Sequence, residues 1–178
     1  MLPIIGRKWR KVVCSGFDGY QAKGSILFRG VNALNLDTKG RMAIPTRYRE
    51  RLQSHCAARL VVTIDPDGCL LIYPLPRWEE VERSLKQLPS FNPKTRKLQR
   101  LYIGHATEVD MDGQGRVLLA PELRRFAGLQ KQVVLIGQGD KFELWDEESW
   151  NKGRDVWLEE AQGMDPSDLP PGLETLSI

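Results

Sequence analysis

Residues 32 to 53 change from the period of a strand to the period of a helix. In "NALNL" (32–36) polar and apolar residues alternate, as in a strand with one buried face. The turn "DTKG" follows, and "RMAI" (41–44) is predicted to continue as a strand after it. Pro45 is tolerated in a first helical turn, and "TRYRERLQ" then places Tyr48 and Leu52 on one helical face. A hairpin, "RLVVTI" and "CLLIY" around "DPDG", and a helix with an apolar stripe, "PRWEEVERSLKQL", follow. The predicted order is strand, turn, strand, helix, strand, strand, helix.

The second half of the chain predicts the same order. "ATEVDM" and "RVLL" are strands on either side of the turn "DGQG", and "PELRRFAG" is a short helix that ends at Gly128. "QVVLIG" and "KFELW" form a second hairpin, and "EESWNKGRDVWLEEA" forms the last helix. Between the halves, "LPSFNPKTRKLQRLYIGH" predicts a helix from about Lys94.

The two halves also align residue by residue. At an offset of 75 positions, four residues match without a gap: Asp37 with Asp112, Gly40 with Gly115, Arg41 with Arg116, and Arg49 with Arg124. The match resumes at an offset of 72, where "VVTID" (61–65) aligns with "VVLIG" (133–137). We interpret the chain as an internal duplication. Two copies are too few for a solenoid, which generally needs three or more units.

Each copy offers few strands and two short helices, which is little core for an independent unit. We therefore expect the copies to exchange strands or to pack face to face, as two pseudo-symmetric repeats in one β-rich α+β unit. The turns "DTKG" and "DGQG" would then emerge on one surface, related by the pseudo-twofold axis.

Composition narrows the class of protein. With 178 residues, 41% of them hydrophobic, the chain can form one compact domain or two very small ones. No apolar run approaches the roughly 20 residues of a membrane span. Its three cysteines, Cys14, Cys56 and Cys69, are odd in number and form no C-x-x-C pair. This favours a reducing compartment and argues against a disulfide framework or a zinc site.

The net charge of +3 conceals a separation of charge along the chain. Segment 28–54 holds six Lys or Arg and two acids, "KTRK" with Arg100 adds four bases, and 137–178 holds eleven acids and three bases. A basic first half with an acidic end favours a polyanionic partner that binds in one orientation. A solvated surface would account for these charges equally well, so charge alone does not choose between the two.

The repeats also give boundaries. Segment 1–27 has no counterpart in the second half and no sustained period, so we expect an N-terminal extension that is disordered and dispensable for folding. The first repeat is predicted to span 28–90, a linker helix 91–104 and the second repeat 105–162. The Pro-rich, acidic tail 163–178 is expected to be loosely ordered.

The turns "DTKG" and "DGQG" carry the candidate chemistry. In each, the Asp can accept hydrogen bonds from backbone amides ahead of it, and Gly suits the fourth position. A salt bridge that pins a hairpin is the structural alternative. The arginine recurs together with the turn, however, and an arginine on a rigid turn suits guanine O6 and N7 or a phosphate. The Asp would aim the arginine and leave its guanidinium fork to a nucleic acid.

The stretches "FRGVNALNLDTKGRMAIPTRYRE" and "GHATEVDMDGQGRVLLAPELR" closely resemble the MraZ family of bacterial transcriptional regulators. That family is related to the AbrB-type swapped-hairpin DNA-binding proteins. The resemblance runs from about Phe28 to about Glu160. It implies a double β-α-β body, a ring-shaped homo-oligomer and a cytoplasmic, nucleoid-associated location. It also implies binding of double-stranded DNA at direct repeats in the promoter of the division and cell-wall gene cluster, with repression of that cluster, including the protein's own gene, as the expected outcome.

The resemblance places the DNA-binding motif on Asp37 and Arg41 and on Asp112 and Arg116. With Lys39 and the turn glycines Gly40 and Gly115, these are the predicted DNA-binding residues. Gln114 replaces Lys39 in the second turn, which weakens its charge, so we expect Arg41 to carry most of the recognition. The expected protein needs no cofactor or metal and acts on no small-molecule substrate and no membrane.

An enzyme and a scaffold are the rival classes. Only two histidines, His55 and His105, are present, and the sequence has no G-x-S-x-G elbow and no Walker lysine. "DMDGQG", from Asp110, approaches a calcium loop, but its twelfth position is Pro121, where a bidentate Glu is required. We therefore predict that the protein is not an enzyme. A DNA binder and a scaffold differ in the salt dependence of a gel shift.

Overall fold

Residues 26–163 are the part of the chain that the computed structural model describes, and in them the order of strands and helices is the same in both halves. The elements are β1 (Phe28–Asn35), β2 (Arg41–Ala43), α1 (Thr46–Cys56), β3 (Arg59–Ile64), β4 (Leu70–Pro74), α2 (Leu75–Gln87), α3 (Pro93–Tyr102), β5 (Thr107–Asp110), β6 (Arg116–Leu118), α4 (Pro121–Phe126), β7 (Gln132–Gly139), β8 (Lys141–Asp146) and α5 (Glu147–Gln162). This mixed α+β architecture confirms the predicted class and the predicted order.

Six strands form one antiparallel sheet in the order β1-β7-β8-β4-β3-β5. β1, from the first half, pairs along its whole length with β7, from Phe28 opposite Gly139 to Asn35 opposite Gln132. β5, from the second half, pairs with β3, with Val109 opposite Leu60. The halves therefore exchange their first strands, which confirms one of the two arrangements predicted from the small size of each copy. The counterparts in the two halves are β1 and β5, β3 and β7, and β4 and β8. If the counterparts are exchanged and the sheet is followed from its other edge, the strand order is the same.

The remaining two strands, β2 and β6, form a short antiparallel ribbon in which Met42 lies opposite Val117. Both side chains are fully buried and belong to the same apolar cluster as Phe28 and Phe142, whose ring centroids lie 4.0 Å apart. Burial of a large apolar side chain contributes about 1.5–3 kcal/mol, so the core holds the ribbon firmly against the rest of the fold. This ribbon carries both turns.

β1 begins at Phe28, four positions before the start predicted from the alternating pattern. Only Phe28 is buried among its first four residues, and Gly30 has a φ of +103°, so the period of two is interrupted there. The predicted helices agree more closely. α1 begins directly after Pro45 and ends where Ala57 adopts a left-handed conformation, while α3 begins at Pro93, one residue before the predicted start.

The chain divides into two units, the second of which begins at Glu147. α5 is the element described in that unit, and in it the rings of Trp150 and Trp157 lie 5.6 Å apart. The segment predicted as the second repeat extends across this division, and the repeat boundaries stay a prediction. The expectations for 1–25 and 164–178 fall outside the described residues. No helix within 26–163 is both long and apolar enough to cross a membrane.

Candidate nucleic-acid interface

The first turn, Asp37-Thr38-Lys39-Gly40, is closed by two backbone hydrogen bonds. The Gly40 amide donates to the Asp37 carbonyl, and the Asp37 amide donates to the Arg41 carbonyl, both at 2.9 Å. Gly40 has a φ of +80°, a conformation that residues with a Cβ adopt only at a cost. The predicted turn is confirmed, and its fourth position requires glycine.

The Asp37 carboxylate organises this turn and orients the arginine. Its Oδ1 accepts hydrogen bonds from the amides of Lys39 and Arg41, both at 2.9 Å, and its Oδ2 accepts one from Arg41 Nε at 2.7 Å. These bonds favour the charged form, the one from the Arg41 amide most of all, and lower the pKa of Asp37 to about 2. The terminal nitrogens of Arg41 have no hydrogen-bond partner among residues 26–163.

The second turn has the same construction. The Gly115 amide donates to the Asp112 carbonyl and the Asp112 amide to the Arg116 carbonyl, both at 2.8 Å, and Gly115 has a φ of +76°. Oδ1 of Asp112 accepts from the amides of Gln114 and Arg116 at 2.9 Å, and Oδ2 accepts from Arg116 Nε at 2.9 Å. Here the side-chain hydrogen bond from Arg116 is the largest cause that lowers the pKa of Asp112.

The ribbon brings the two arginines to a common face. Arg41 of β2 lies opposite Leu118 of β6, and Arg116 lies opposite Ala43, while the central pair between them points into the core. Because side chains alternate across a strand, Arg41 and Arg116 both project from the outward face of the ribbon. The two arginine side chains therefore share one face, and the emergence of both whole turns on one surface stays a prediction.

Each turn is also held by the other half of the chain. The Ile44 amide, just beyond β2, donates to the Gly115 carbonyl at 2.8 Å, and the Leu119 amide, just beyond β6, donates to the Gly40 carbonyl at 3.1 Å. These two hydrogen bonds are counterparts of each other. The turns consequently form one connected structure and are not two independent loops.

A third turn in the same fold forms without an arginine. Asp65-Pro66-Asp67-Gly68 joins β3 to β4, and it is closed by the same two backbone hydrogen bonds, both at 2.9 Å, with Cys69 at the position of the arginine. Cys69 is buried, and burial raises the pKa of Asp65. This fold therefore builds an Asp-x-x-Gly turn without an arginine, which weakens the view that Arg41 and Arg116 serve only to pin their hairpins.

Two arginines that the sequence analysis aligned but did not assign, Arg49 and Arg124, also lie at the turns. Each donates from Nε to a backbone carbonyl five residues earlier, at 2.6 Å and 3.2 Å respectively. Each lies against the glycine of the opposite turn, because a Cβ on Gly40 would be 2.5 Å from Arg124 Cζ and one on Gly115 would collide with Arg49. Their match in the gapless alignment was the signal that could have identified them.

The surroundings of the first turn contain charges of both signs. Next to it is a groove of about 460 Å³, lined by the bases Lys39 and Arg124 and by the acids Glu108 and Asp110 of β5, together with apolar side chains. Within residues 26–163, no group of three or more His, Cys, Asp or Glu is arranged to hold a metal ion. The site is therefore best characterised by its guanidinium groups.

Comparisons with known proteins show which family the chain is similar to. The family model described as "MraZ protein, putative antitoxin-like" matches residues 27–101 and, separately, residues 102–161. Proteins named "Transcriptional regulator MraZ" from Thioalkalivibrio sulfidiphilus and Halorhodospira halophila are 58% and 57% identical over 153 residues, which are 85% of this chain and 100% of each relative. The protein of the same name from Nitrosospira multiformis is 62% identical over 152 residues, with the same coverage.

Proposed function

The chain belongs to the MraZ family, and we propose that it is a sequence-specific DNA-binding regulator of transcription and not an enzyme. The observation that carries the proposal is the pair of Asp-held arginines, Arg41 and Arg116, on one outward face of the β2–β6 ribbon. The names of the relatives support the same role.

In this proposal Arg41 and Arg116 read bases. Each carboxylate holds the Nε side of a guanidinium, so the orientation of the plane is set before DNA binds and less side-chain entropy is lost on binding. A guanidinium held in this way can donate two parallel hydrogen bonds to O6 and N7 of guanine in the major groove, which admits a two-stranded ribbon. Asp37 and Asp112 orient the arginines, the glycines of the turns supply the backbone conformation, and Lys39 adds attraction to phosphate.

The proposal extends to a ring-shaped homo-oligomer. One chain offers two reading arginines, and several chains on direct repeats gain affinity because each bound chain raises the effective concentration of the next. Trp157 and Leu158 of α5, with exposed fractions of 36% and 54%, are candidates for the contacts between copies. Light scattering should return a mass well above the 20.3 kDa of one chain, and a monomer at micromolar concentration with and without DNA would reject the ring.

The proposal also covers the genes that the protein regulates and the evolutionary origin of the chain. We infer repression of the division and cell-wall gene cluster, including the protein's own gene, by a cytoplasmic protein associated with the nucleoid. We also infer that the chain arose by internal duplication, which is supported by the two separate matches of the family model and by a strand order that is unchanged when the halves are exchanged.

One binding experiment tests the regulatory role. Fluorescence anisotropy would measure the affinity of the full chain for a labelled duplex from upstream of its own gene, and for a shuffled duplex of the same composition, at two salt concentrations. We expect tighter binding of the first duplex and a steep loss of affinity with salt, because phosphate contacts release counterions. Equal affinity for both duplexes would reject sequence-specific regulation, and no binding of either would favour the scaffold.

A further inference from the structure

We propose that Arg49 and Arg124 bind backbone phosphates of the DNA, each beside the reading arginine of the opposite half. The inference rests on the proposed function and adds two residues to the turn residues assigned above. It also makes a specific pairing: Arg124 acts with Arg41 in the first turn, and Arg49 acts with Arg116 in the second.

The side chains of Arg49 and Arg124 are both held in place. Each guanidinium is fixed by its Nε hydrogen bond to a backbone carbonyl of its own half. Each also covers a buried glycine of the other half, so its position follows the opposite turn. An arginine that is already ordered loses less conformational entropy on binding than one that is free in solvent.

Within residues 26–163, neither guanidinium has a counter-ion. Arg41 and Arg116 are each paired with a carboxylate, whereas Arg49 and Arg124 form no ion pair with any residue in 26–163. Glu108 lines the same groove as Arg124 but does not pair with it. A half-buried guanidinium whose only hydrogen bond within 26–163 is from Nε keeps its full charge and its terminal donors for an external anion.

The surroundings of Arg49 and Arg124 suit contact with a phosphate better than contact with a base. At Arg41 and Arg116 a carboxylate of the turn holds the guanidinium in the orientation proposed above for base reading. Arg49 and Arg124 have no such carboxylate and lie against the backbone of a turn, beside the reading residue. A phosphate accepts hydrogen bonds from many directions, and phosphate contacts set the register in which base contacts are made. Contacts of this kind suit the two additional arginines.

The test compares Arg124→Gln and Arg49→Gln with the controls Arg125→Gln and Arg51→Gln in the full chain. Glutamine keeps an amide donor that can cover the glycine but removes the charge, while Arg125 and Arg51 are exposed neighbours whose substitution changes net charge equally. For each protein, affinity for the promoter duplex and the shuffled duplex would be measured across a salt series, with the melting temperature as a check of folding.

We expect Arg124→Gln and Arg49→Gln each to reduce the slope of log K against log salt by about 0.9 for every engaged chain, the contribution of one phosphate contact. Affinity for both duplexes should fall by a similar factor, and the controls should leave the slope unchanged. An unchanged slope in the Gln variants would overturn the inference, and so would a loss confined to the promoter duplex, which would indicate a role in base reading. If the wild-type chain binds neither duplex, it is the proposed function that fails.

Discussion

The first and second turns differ in how the carboxylate holds its arginine. In the first, the closest contact of Asp37 is with Arg41 Nε at 2.7 Å, whereas in the second Asp112 lies 2.9 Å from Nε and 2.8 Å from Nη2 of Arg116. The carboxylate of the second turn therefore engages part of the outer edge that would meet a base. Both terminal nitrogens of Arg41 are without a hydrogen-bond partner within residues 26–163.

The charges around the two turns differ more strongly. Segment 28–54 carries six bases and two acids, while the corresponding segment 106–125 carries three bases and four acids. Lys39 is exposed at the tip of the first turn, and Gln114 occupies that place in the second. The two halves thus share the residues that build the turn, Asp and Gly, and differ in the residues that attract a polyanion. The fold requires symmetry of the backbone but does not require symmetry of the charge.

The largest effect we expect is the loss of specific binding in Arg41→Ala. A bidentate arginine–guanine pair contributes about 1–3 kcal/mol, and a ring repeats the loss in every engaged chain. Arg116→Ala should weaken binding less, because its turn has a negative surrounding and its guanidinium is held at two nitrogens. Titration of both variants against one promoter duplex at fixed salt measures the difference.

Circular dichroism and oligomer mass serve as controls for these two variants and should not change. If Arg116→Ala proves the more damaging, the assignment of the main reading turn is wrong. If Arg41→Ala sharply lowers the melting temperature, the salt bridge is structural.

Substitution of the turn glycines should have equal effects in both halves, because the positive φ and the neighbouring arginine side chain recur at both positions. Gly40→Ala and Gly115→Ala each combine a positive φ with a collision against an arginine, and we expect a loss of about 1–3 kcal/mol of unfolding free energy. Gly68→Ala has a similar φ in open space and should lose less, and Gly113→Ala, with open space and no positive φ, should lose almost nothing. Chemical denaturation of the four variants measures these values, and a marked inequality between Gly40→Ala and Gly115→Ala would break the symmetry.

Exchange of one charge between the turns should change the affinity for DNA in opposite directions in the two variants. We expect Lys39→Gln to weaken DNA binding several-fold and Gln114→Lys to strengthen it, since each phosphate contact contributes a slope of about 0.9 in log salt. The difference between the two variants should shrink at high salt because the effect is electrostatic. Should Gln114→Lys leave affinity and salt slope unchanged, the second turn lies away from the DNA.

The smallest effect concerns protonation of the two aspartates. The pKa of Asp37, about 2 in the folded chain, lies below the ordinary value of 3.8, so its bonds stabilise the turn fully above pH 3.8 and are lost as pH falls through about 2. The largest cause of this shift is a backbone amide, which remains in Arg41→Ala, whereas for Asp112 it is the arginine side chain. Arg116→Ala should therefore return the pKa of Asp112 further toward its ordinary value than Arg41→Ala returns the pKa of Asp37. Carbon NMR titration of the two carboxyl groups measures this difference. The reverse order would contradict these assignments.

Local patterns predicted most elements because their causes are local. The strand 59–64 was predicted with its observed bounds, since a run of apolar residues between turn signals is typical of a buried strand. The start of β1 was missed because Gly30 interrupts the alternation and the partner of β1 lies about a hundred residues away. The order of strands depends on such distant pairings, which no local pattern contains.

At the candidate site, too, local contacts could be predicted and distant ones could not. The carboxylate bonds within each turn could be predicted, because Asp37 and Arg41 are four residues apart and the turn type fixes their geometry. The contact of Arg124 with Gly40 could not be predicted, because it joins residues of different halves that only the tertiary structure brings together.

The exchange of first strands also bears on how assembly depends on concentration. A chain with only one half would need a second copy to complete its sheet, and its folding would then vary with protein concentration. The connection through α3 places both halves in one molecule, so this step becomes independent of concentration. In a pair of identical copies, any substitution in one turn would appear in both. Because the halves are covalently joined, Gln114 changes one turn and leaves Lys39 in the other, and a single molecule can therefore present two unequal contacts to one ligand.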